Sequence, residues 1–189
     1  NEKPARNGNT CPSCNSRKVE LFYQMDNVPI QSVLNLKNQD IASQFPTGSI
    51  SLGFCKNCEL ISNYAFKSKS VNYCTGYEAT QNYSPTFRAF ATRQAQKLID
   101  RYHLKGKTLL EIGCGNGDFL SLLCELGKNT GIGFDPAYMP GRVESKPHNR
   151  LTFIKDNFSS KYAHLAADFI FCKMTLEHIH NVGDFIAML

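Results

Sequence analysis

No stretch of this chain approaches the roughly 20 consecutive apolar residues of a membrane-spanning helix. Asn1 to Thr10 is polar and lacks the apolar run of a secretory leader. Membrane and secreted classes are set aside on these grounds, and the expected home is the cytoplasm. A large excess of one charge is missing too: the formal net charge is +5, too mild to point to nucleic acid. Hydrophobic residues make up 42% of the 189 and charged residues 20%, which excludes general disorder and makes a packed core feasible.

Cysteine, by contrast, is plentiful, with eight residues. In a cytoplasmic setting cysteines bind metal sooner than they pair with one another. Four are arranged as Cys11-Pro-Ser-Cys14 and Cys55-Lys-Asn-Cys58. Each turn of this spacing aims two sulfurs at one ion at ~2.3 Å, and two turns complete a tetrahedron, so Cys11, Cys14, Cys55 and Cys58 are predicted to hold a structural Zn2+ with no open position for catalysis. Chance pairing of the motifs, or disulfides, is the alternative, and the doubled spacing favours zinc. Bound zinc would bring the working charge to about +3. Between the pairs, Leu21 to Tyr23, Val28 to Ile30 and Ile50 to Phe54 read as short strands, in a module whose metal replaces a core that so few residues cannot build. Cys74, Cys114, Cys124 and Cys172 lack partners at ligand spacing and are expected to be buried small residues.

Residues 1–70 are therefore predicted to be a small β-rich zinc-binding domain, 71–84 a linker, and 85–189 an α/β domain. The linker carries Tyr73, Tyr77 and Tyr83 among polar residues, a loop type that often holds binding groups; packing between domains is the plainer reading. Ser84 reads as an N-cap with Pro85 in the first turn, and Phe87, Phe90, Ala91, Leu98, Ile99 and Tyr102 mark one face of a helix running to about His103. From Thr108 the chain alternates: an apolar strand to Ile112, a glycine turn, a helix through about Leu126, then a strand Thr130 to Phe134 ended by Asp135. Strand, turn, helix, strand and acid form a nucleotide-binding half. Gly113, Gly115 and Gly117 let the backbone pass close to a ligand at the carboxyl end of the first strand. Asp135 is placed to accept hydrogen bonds from ribose hydroxyls, and Glu111 to hold a cationic or amino-bearing cofactor tail. The spacing is G-x-G-x-G, not the dinucleotide G-x-G-x-x-G, which turns the reading away from NAD.

Leu110-Glu111-Ile112-Gly113-Cys114-Gly115-Asn116-Gly117 resembles motif I of the class I S-adenosylmethionine-dependent methyltransferases. The resemblance implies a Rossmann-like domain that binds S-adenosylmethionine and releases S-adenosylhomocysteine. It also implies cofactor contacts from Glu111, Gly113, Cys114, Gly115, Gly117, Asp118 and Phe119; from Asp135 and Pro136 after the second strand; from Asp156, Asn157 and Phe158 after the third; and from Lys173 and Met174 after a fourth, Asp168 to Cys172. The doubled CxxC module, the Tyr77-Glu78 linker, the Ser-Pro-Thr-Phe helix start and motif I together resemble the N-terminal two-thirds of sugar C-methyltransferases acting on nucleotide-linked keto-deoxysugars. Cys58-Glu-Leu-Ile is similar to their second knuckle, usually Cys-Gly-Leu followed by an aliphatic residue. Motif I departs from many of those enzymes, which carry Ser-Asn-Asp where this chain has Cys114-Gly-Asn116.

Carbon methylation beside a ketone needs a base to form the enolate, and histidine, with a pKa near ~6.5, suits that role. By resemblance His178 is the expected base, with Glu177 orienting it, and Tyr73 and Tyr77 are expected to touch substrate or close over the cofactor. The plainer reading of Leu176-Glu-His-Ile179 is that the histidine packs or shapes the cofactor pocket. His103, His148, His164 and His180 are expected at the surface. After the fourth strand the chain reads Lys173-Met174-Thr175, without the Asn-Pro-Pro-Tyr-like signature that holds an exocyclic amine or the Pro-Cys or Thr-Cys nucleophile of RNA cytosine methyltransferases. A small-molecule substrate is favoured over nucleic acid. The alternatives are O- or N-methylation of another metabolite or of RNA, and a non-catalytic cofactor-binding or interaction fragment. The class I sheet normally has seven strands, and this chain is expected to be a piece of a longer enzyme.

Overall fold

The computed structural model describes residues 10–31, 34–67, 80–141 and 150–189. The chain divides into two compact units: the described residues of Asn1–Asn72 together with His178–Leu189, and Tyr73–Glu177. Sequence reading placed all of 85–189 in one body, whereas His178–Leu189 groups with the N-terminal residues. The local reason lies in helix α4 (Val182–Met188). The Gly183 N–H donates to the Pro12 carbonyl at 3.2 Å, and a side chain at Gly183 would run into the Ser13 carbonyl.

In the first unit, β1 (Val19–Pro29), β2 (Thr47–Cys55) and β3 (Ile61–Asn63) form an antiparallel sheet in the order β1-β2-β3, and a short helix α1 (Gln39–Ser43) precedes β2. The expected strands at 21–23 and 28–30 are one bent strand. Its register against β2 shifts between Leu21 and Tyr23 and again between Met25 and Val28, around Asn27 at φ 58°. Such bulges bend a strand without ending it. Neither sheet face is well covered: nearly every β1 residue is exposed. The buried positions described in this unit are Cys11, Pro12, Gly53, Cys55 and Phe185, so what core there is gathers around the two cysteine turns.

The second unit begins with α2 (Pro85–Tyr102), where Ser84 Oγ accepts the Phe87 N–H at 3.2 Å and Pro85 sits in the first turn, as the sequence predicts. His103 ends the helix in the left-handed conformation, φ 55°. Four parallel strands follow in the order β6-β5-β4-β7: β4 (Thr108–Ile112), β5 (Thr130–Phe134), β6 (Leu151–Ile154) and β7 (Phe169–Phe171). Helix α3 (Asp118–Gly127) connects β4 to β5 and packs with α2 over Leu109. The buried face of α2 is the expected one in part: Ala91 and Ile99 are buried, and Phe87 and Leu98 pack against the core. Ala91, Ala95 and Ile99 form the buried stripe, while Phe90 and Tyr102 stay about half exposed at 48% and 46%. Positions four apart lie above one another on a helix, and small residues there let α2 approach α3 closely. Tyr102 still covers the sheet edge, its ring 5.2 Å from that of Phe169.

Candidate functional site: a cysteine cluster and a glycine turn at a strand switch

Alternation along β4 puts Leu109 and Glu111 on one face and Leu110 and Ile112 on the other. All four are buried. The chain order reverses at β4: β5 and β6 lie on one side and β7 on the other. Ligands of open parallel sheets settle at the carboxyl ends of the strands at such a reversal. The segment occupying that place here is Gly113 to Gly117.

The turn hangs from the end of β5. The Phe134 carbonyl accepts the N–H groups of both Gly113 and Cys114, at 2.8 and 3.0 Å, and Gly117 N–H closes onto the Cys114 carbonyl at 2.8 Å. Asp135 then ties the turn by its side chain: Oδ2 accepts Gly115 N–H at 2.8 Å and Oδ1 accepts Ala137 N–H at 2.7 Å. Burial raises the Asp135 pKa against the pull of these two backbone donors. Gly117 caps α3 at φ 87°, and a Cβ there would overlap the Phe153 ring, so this position demands glycine twice over. Phe153 is held in turn by Tyr138, stacked on it at 4.7 Å.

Glu111 is the unusual group. It is only 2% exposed, and its Oε2 has no hydrogen-bond partner among the described residues. Burial pushes its pKa up to about 8, against the opposing pull of the Lys173 ammonium. Lys173 follows β7 and lies over the Phe119 ring at 5.2 Å. A buried carboxyl oxygen without a donor costs free energy, and an acid in this position fits the amino-bearing cofactor tail inferred from the sequence.

Around this centre the predicted cofactor residues are spread unevenly. Asp118 opens α3 and accepts the Thr80 hydroxyl at 2.8 Å, and Phe119 is buried behind it. Cys114 is buried with its thiol pKa raised by that burial. Pro136 and Asn157 are exposed, and Met174 stands 63% exposed at φ 54°. Asp156 ends β6 where the reading put it, but its carboxylate is already engaged. Oδ2 accepts the Tyr162 hydroxyl at 2.7 Å and pairs with Lys161, Oδ1 accepts Asn157 N–H at 2.8 Å, and the Lys161 contact leads in drawing its pKa down to about 2. Phe158 packs edge-on to Phe134 at 5.1 Å. Glu177 and His178 lie in the one-turn 3-10 helix Leu176–His178, both exposed, and the boundary between the two units falls between them. Tyr73 and Tyr77 lie outside the described residues.

Sequence reading missed Thr175, whose hydroxyl lies 3.3 Å from the Gly113 carbonyl and 3.2 Å from that of Lys173, and Phe153 and Tyr162, which back Gly117 and Asp156. Thr175 and Phe153 are defined by partners far along the chain, Gly113 and Gly117, which no local pattern encodes, whereas Tyr162 meets Asp156 from across the short turn Ser160–Tyr162. Of the four cysteines expected to be buried, Cys114 and Cys124 are, Cys172 is half-buried, and Cys74 lies outside the described residues.

In the first unit the two cysteine turns share one construction. Cys11 N–H donates to Ser16 O at 2.9 Å while Asn15 N–H returns to Cys11 O at 3.0 Å; Cys55 N–H donates to Leu60 O at 3.0 Å while Glu59 N–H returns to Cys55 O at 2.8 Å. Asn15 and Glu59 are left-handed, at φ 59° and 63°. All four sulfurs lie within 4.8 Å of one another, Cys11 to Cys58 at 3.5 Å and Cys14 to Cys55 at 3.6 Å, and none of the four forms a disulfide. Bonds of ~2.3 Å to a tetrahedral zinc would set sulfurs ~3.8 Å apart, which this cluster fits. The Asn57 side-chain amide, 3.4 Å from Cys14 Sγ, leads in lowering that thiol to about 6, whereas, against the Leu60 backbone hydrogen bond, burial and the three neighbouring cysteines push Cys58 up to about 12, so the four thiols do not ionise alike without a cation among them.

Among the described residues no helix is long and apolar enough to cross a membrane. No curated protein matches the chain. A family model described as a methyltransferase domain matches residues 87–189, more than half of the chain, which therefore belongs to that methyltransferase family.

Proposed function

We propose that this chain is an S-adenosylmethionine-dependent methyltransferase acting on a small molecule, with C-methylation of a nucleotide-linked keto-deoxysugar as the preferred reaction. The observation that carries the cofactor assignment is the buried Glu111, with an unpaired oxygen, beneath a glycine turn at the strand reversal. When bound, the cofactor supplies an electrophilic methyl group. The protein's own part is positioning. Gly113 to Gly117 brings backbone against the ligand, Glu111 meets its amino group, and Asp135, with lone pairs beyond the two its backbone donors use, accepts from the ribose. Holding the reacting atoms in line supplies much of the acceleration in such transfers.

His178 is proposed as the base that removes the proton beside the substrate ketone, with Glu177 orienting its ring, and Tyr73 and Tyr77 as substrate contacts. The cysteine cluster is proposed to hold one Zn2+ in a closed structural role. Support for the sugar class comes from the coincidence of a doubled CxxC module with motif I in one chain.

Calorimetric titration with S-adenosylhomocysteine tests the cofactor: saturable binding is expected, and its absence overturns the reading. Deuterium exchange beside the ketone of a keto-deoxysugar nucleotide tests the chemistry. Exchange that falls about 100-fold or more in His178→Ala supports base catalysis, whereas turnover undiminished in that variant favours O- or N-methylation of another metabolite or of RNA.

A further inference from the structure

We infer that Glu111 carries a proton in the cofactor-free protein and surrenders it when a ligand presenting a cationic amino group binds, so that cofactor binding and proton release are one event. The inference rests on the cofactor reading above and adds to it the protonation state of the residue that receives the ligand.

The geometry argues first. Glu111 sits mid-sheet between Gly133 of β5 and Phe171 of β7 in register. It is 2% exposed, and Oε2 has no partner among the described residues. The hydrogen bond it does receive comes from the Leu120 backbone on α3. An ionised carboxylate in such a place needs compensating charge. The charged groups that act on it from neighbouring elements are Asp118 on α3 and Asp135 after β5, both repulsive, and Lys173 after β7, attractive. Lys173 is itself drawn over the Phe119 ring. The nearby thiols add no charge, because burial raises the pKa of Cys114, Cys124 and Cys172, Cys124 to about 12, and keeps them neutral. Burial, with the two acids adding to it, outweighs the pull of Lys173 and of the Leu120 N–H and leaves the neutral carboxyl the favoured form, holding Glu111 at about 8.

A ligand ammonium placed at Oε2 reverses the balance, because an opposite charge at hydrogen-bond distance favours the carboxylate. The proton balance is simple. The neutral acid and the ammonium form a carboxylate–ammonium pair, and the acid's proton passes to buffer. The ligand ammonium keeps its own protons throughout.

Titration of the full chain with S-adenosylhomocysteine at pH 7, in phosphate and in Tris, reads the released proton as the dependence of binding enthalpy on buffer ionisation enthalpy. About one proton released per site is expected, with Kd falling about tenfold per pH unit between pH 6 and 7, and release falling below half a proton at pH 8.5. Glu111→Gln is expected to bind more weakly and with no buffer dependence. In case that variant binds too weakly to titrate, the Glu111 carboxyl carbon followed by NMR in the cofactor-free wild type should titrate well above the usual carboxylate range. Equal enthalpies in the two buffers, proton release that persists in Glu111→Gln, or an ordinary carboxyl titration each overturn the inference while leaving cofactor binding intact. No binding heat in either buffer and no protection from thermal unfolding by the ligand overturn the cofactor reading, and the inference with it.

Discussion

Asp135 Oδ2 accepts the N–H of Gly115 at 2.8 Å, so the residue proposed to meet the ribose also fastens the glycine turn. Asp135→Asn keeps the shape but turns one acceptor into a donor facing Gly115 or Ala137. Losing one charge-assisted bond costs about 1.5–3 kcal/mol, so S-adenosylhomocysteine affinity should fall at least about tenfold. An unchanged Kd by calorimetry would separate Asp135 from the site.

Glu111 gives a stability prediction that needs no ligand. Its folded pKa, about 8, lies above the ordinary 4.5, so between those values the folded state holds a proton that the unfolded chain has released. Stability therefore falls as pH rises through that window and levels off above about 8. Glu111→Gln removes this loss. The stability of the variant relative to wild type, from urea unfolding, should rise between pH 5 and pH 8, and a pH-independent difference would refute the assignment.

The buried positions of the first unit surround Cys11 and Cys55, both 0% exposed. Metal analysis should find about one zinc per chain. Chelation, or Cys55→Ser, should unfold this unit while leaving the melting of the parallel-sheet unit nearly unchanged. Loss of metal without loss of sheet structure in the first unit would show that the turns hold themselves together.

Glu59 occupies a left-handed position, φ 63°, where glycine avoids a Cβ penalty. Glu59→Gly should raise the stability of the zinc-bound unit by about 1 kcal/mol. Asn15→Ala, at the matching position of the other turn, should lower it, because asparagine tolerates this conformation better than alanine. Chemical denaturation with zinc held constant distinguishes the two, and a neutral Glu59→Gly would mean that the Glu59 side chain makes a compensating contact.

What the sequence disclosed was what depends on near neighbours. The Ser84-Pro85 start of α2, the strand–turn–helix from Thr108 to Gly127 and the two CxxC turns each follow from residues a few positions apart. Asp26-Asn27 reads locally as a turn, so the single bent strand β1 looked like two. Ile61–Asn63 is too short to show a period and forms β3 only because Leu52 to Phe54 waits beside it. On α2 the large aromatics drew attention from Ala95, which is fully buried while Phe90 is not. In the site itself, Glu111 was legible as an acid at a strand end. That its Oε2 lacks a partner among the described residues depends on β5, β7 and α3 closing around it, and could be known only once the sheet was assembled.

The donation of the Gly183 N–H to the Pro12 carbonyl also bears on how the molecule is made. The first unit is interrupted by the second, Tyr73–Glu177 being spliced into its chain. As synthesis proceeds from the N-terminus, the cysteine turns must wait for Tyr73–Glu177 to be translated before α4 can join them. A metal in the cluster would then serve as a temporal clasp, holding the N-terminal segment in shape until α4 arrives. Genetic truncation upstream of residue 178 should consequently leave the cysteine turns protease-resistant while zinc is supplied and protease-sensitive once it is chelated.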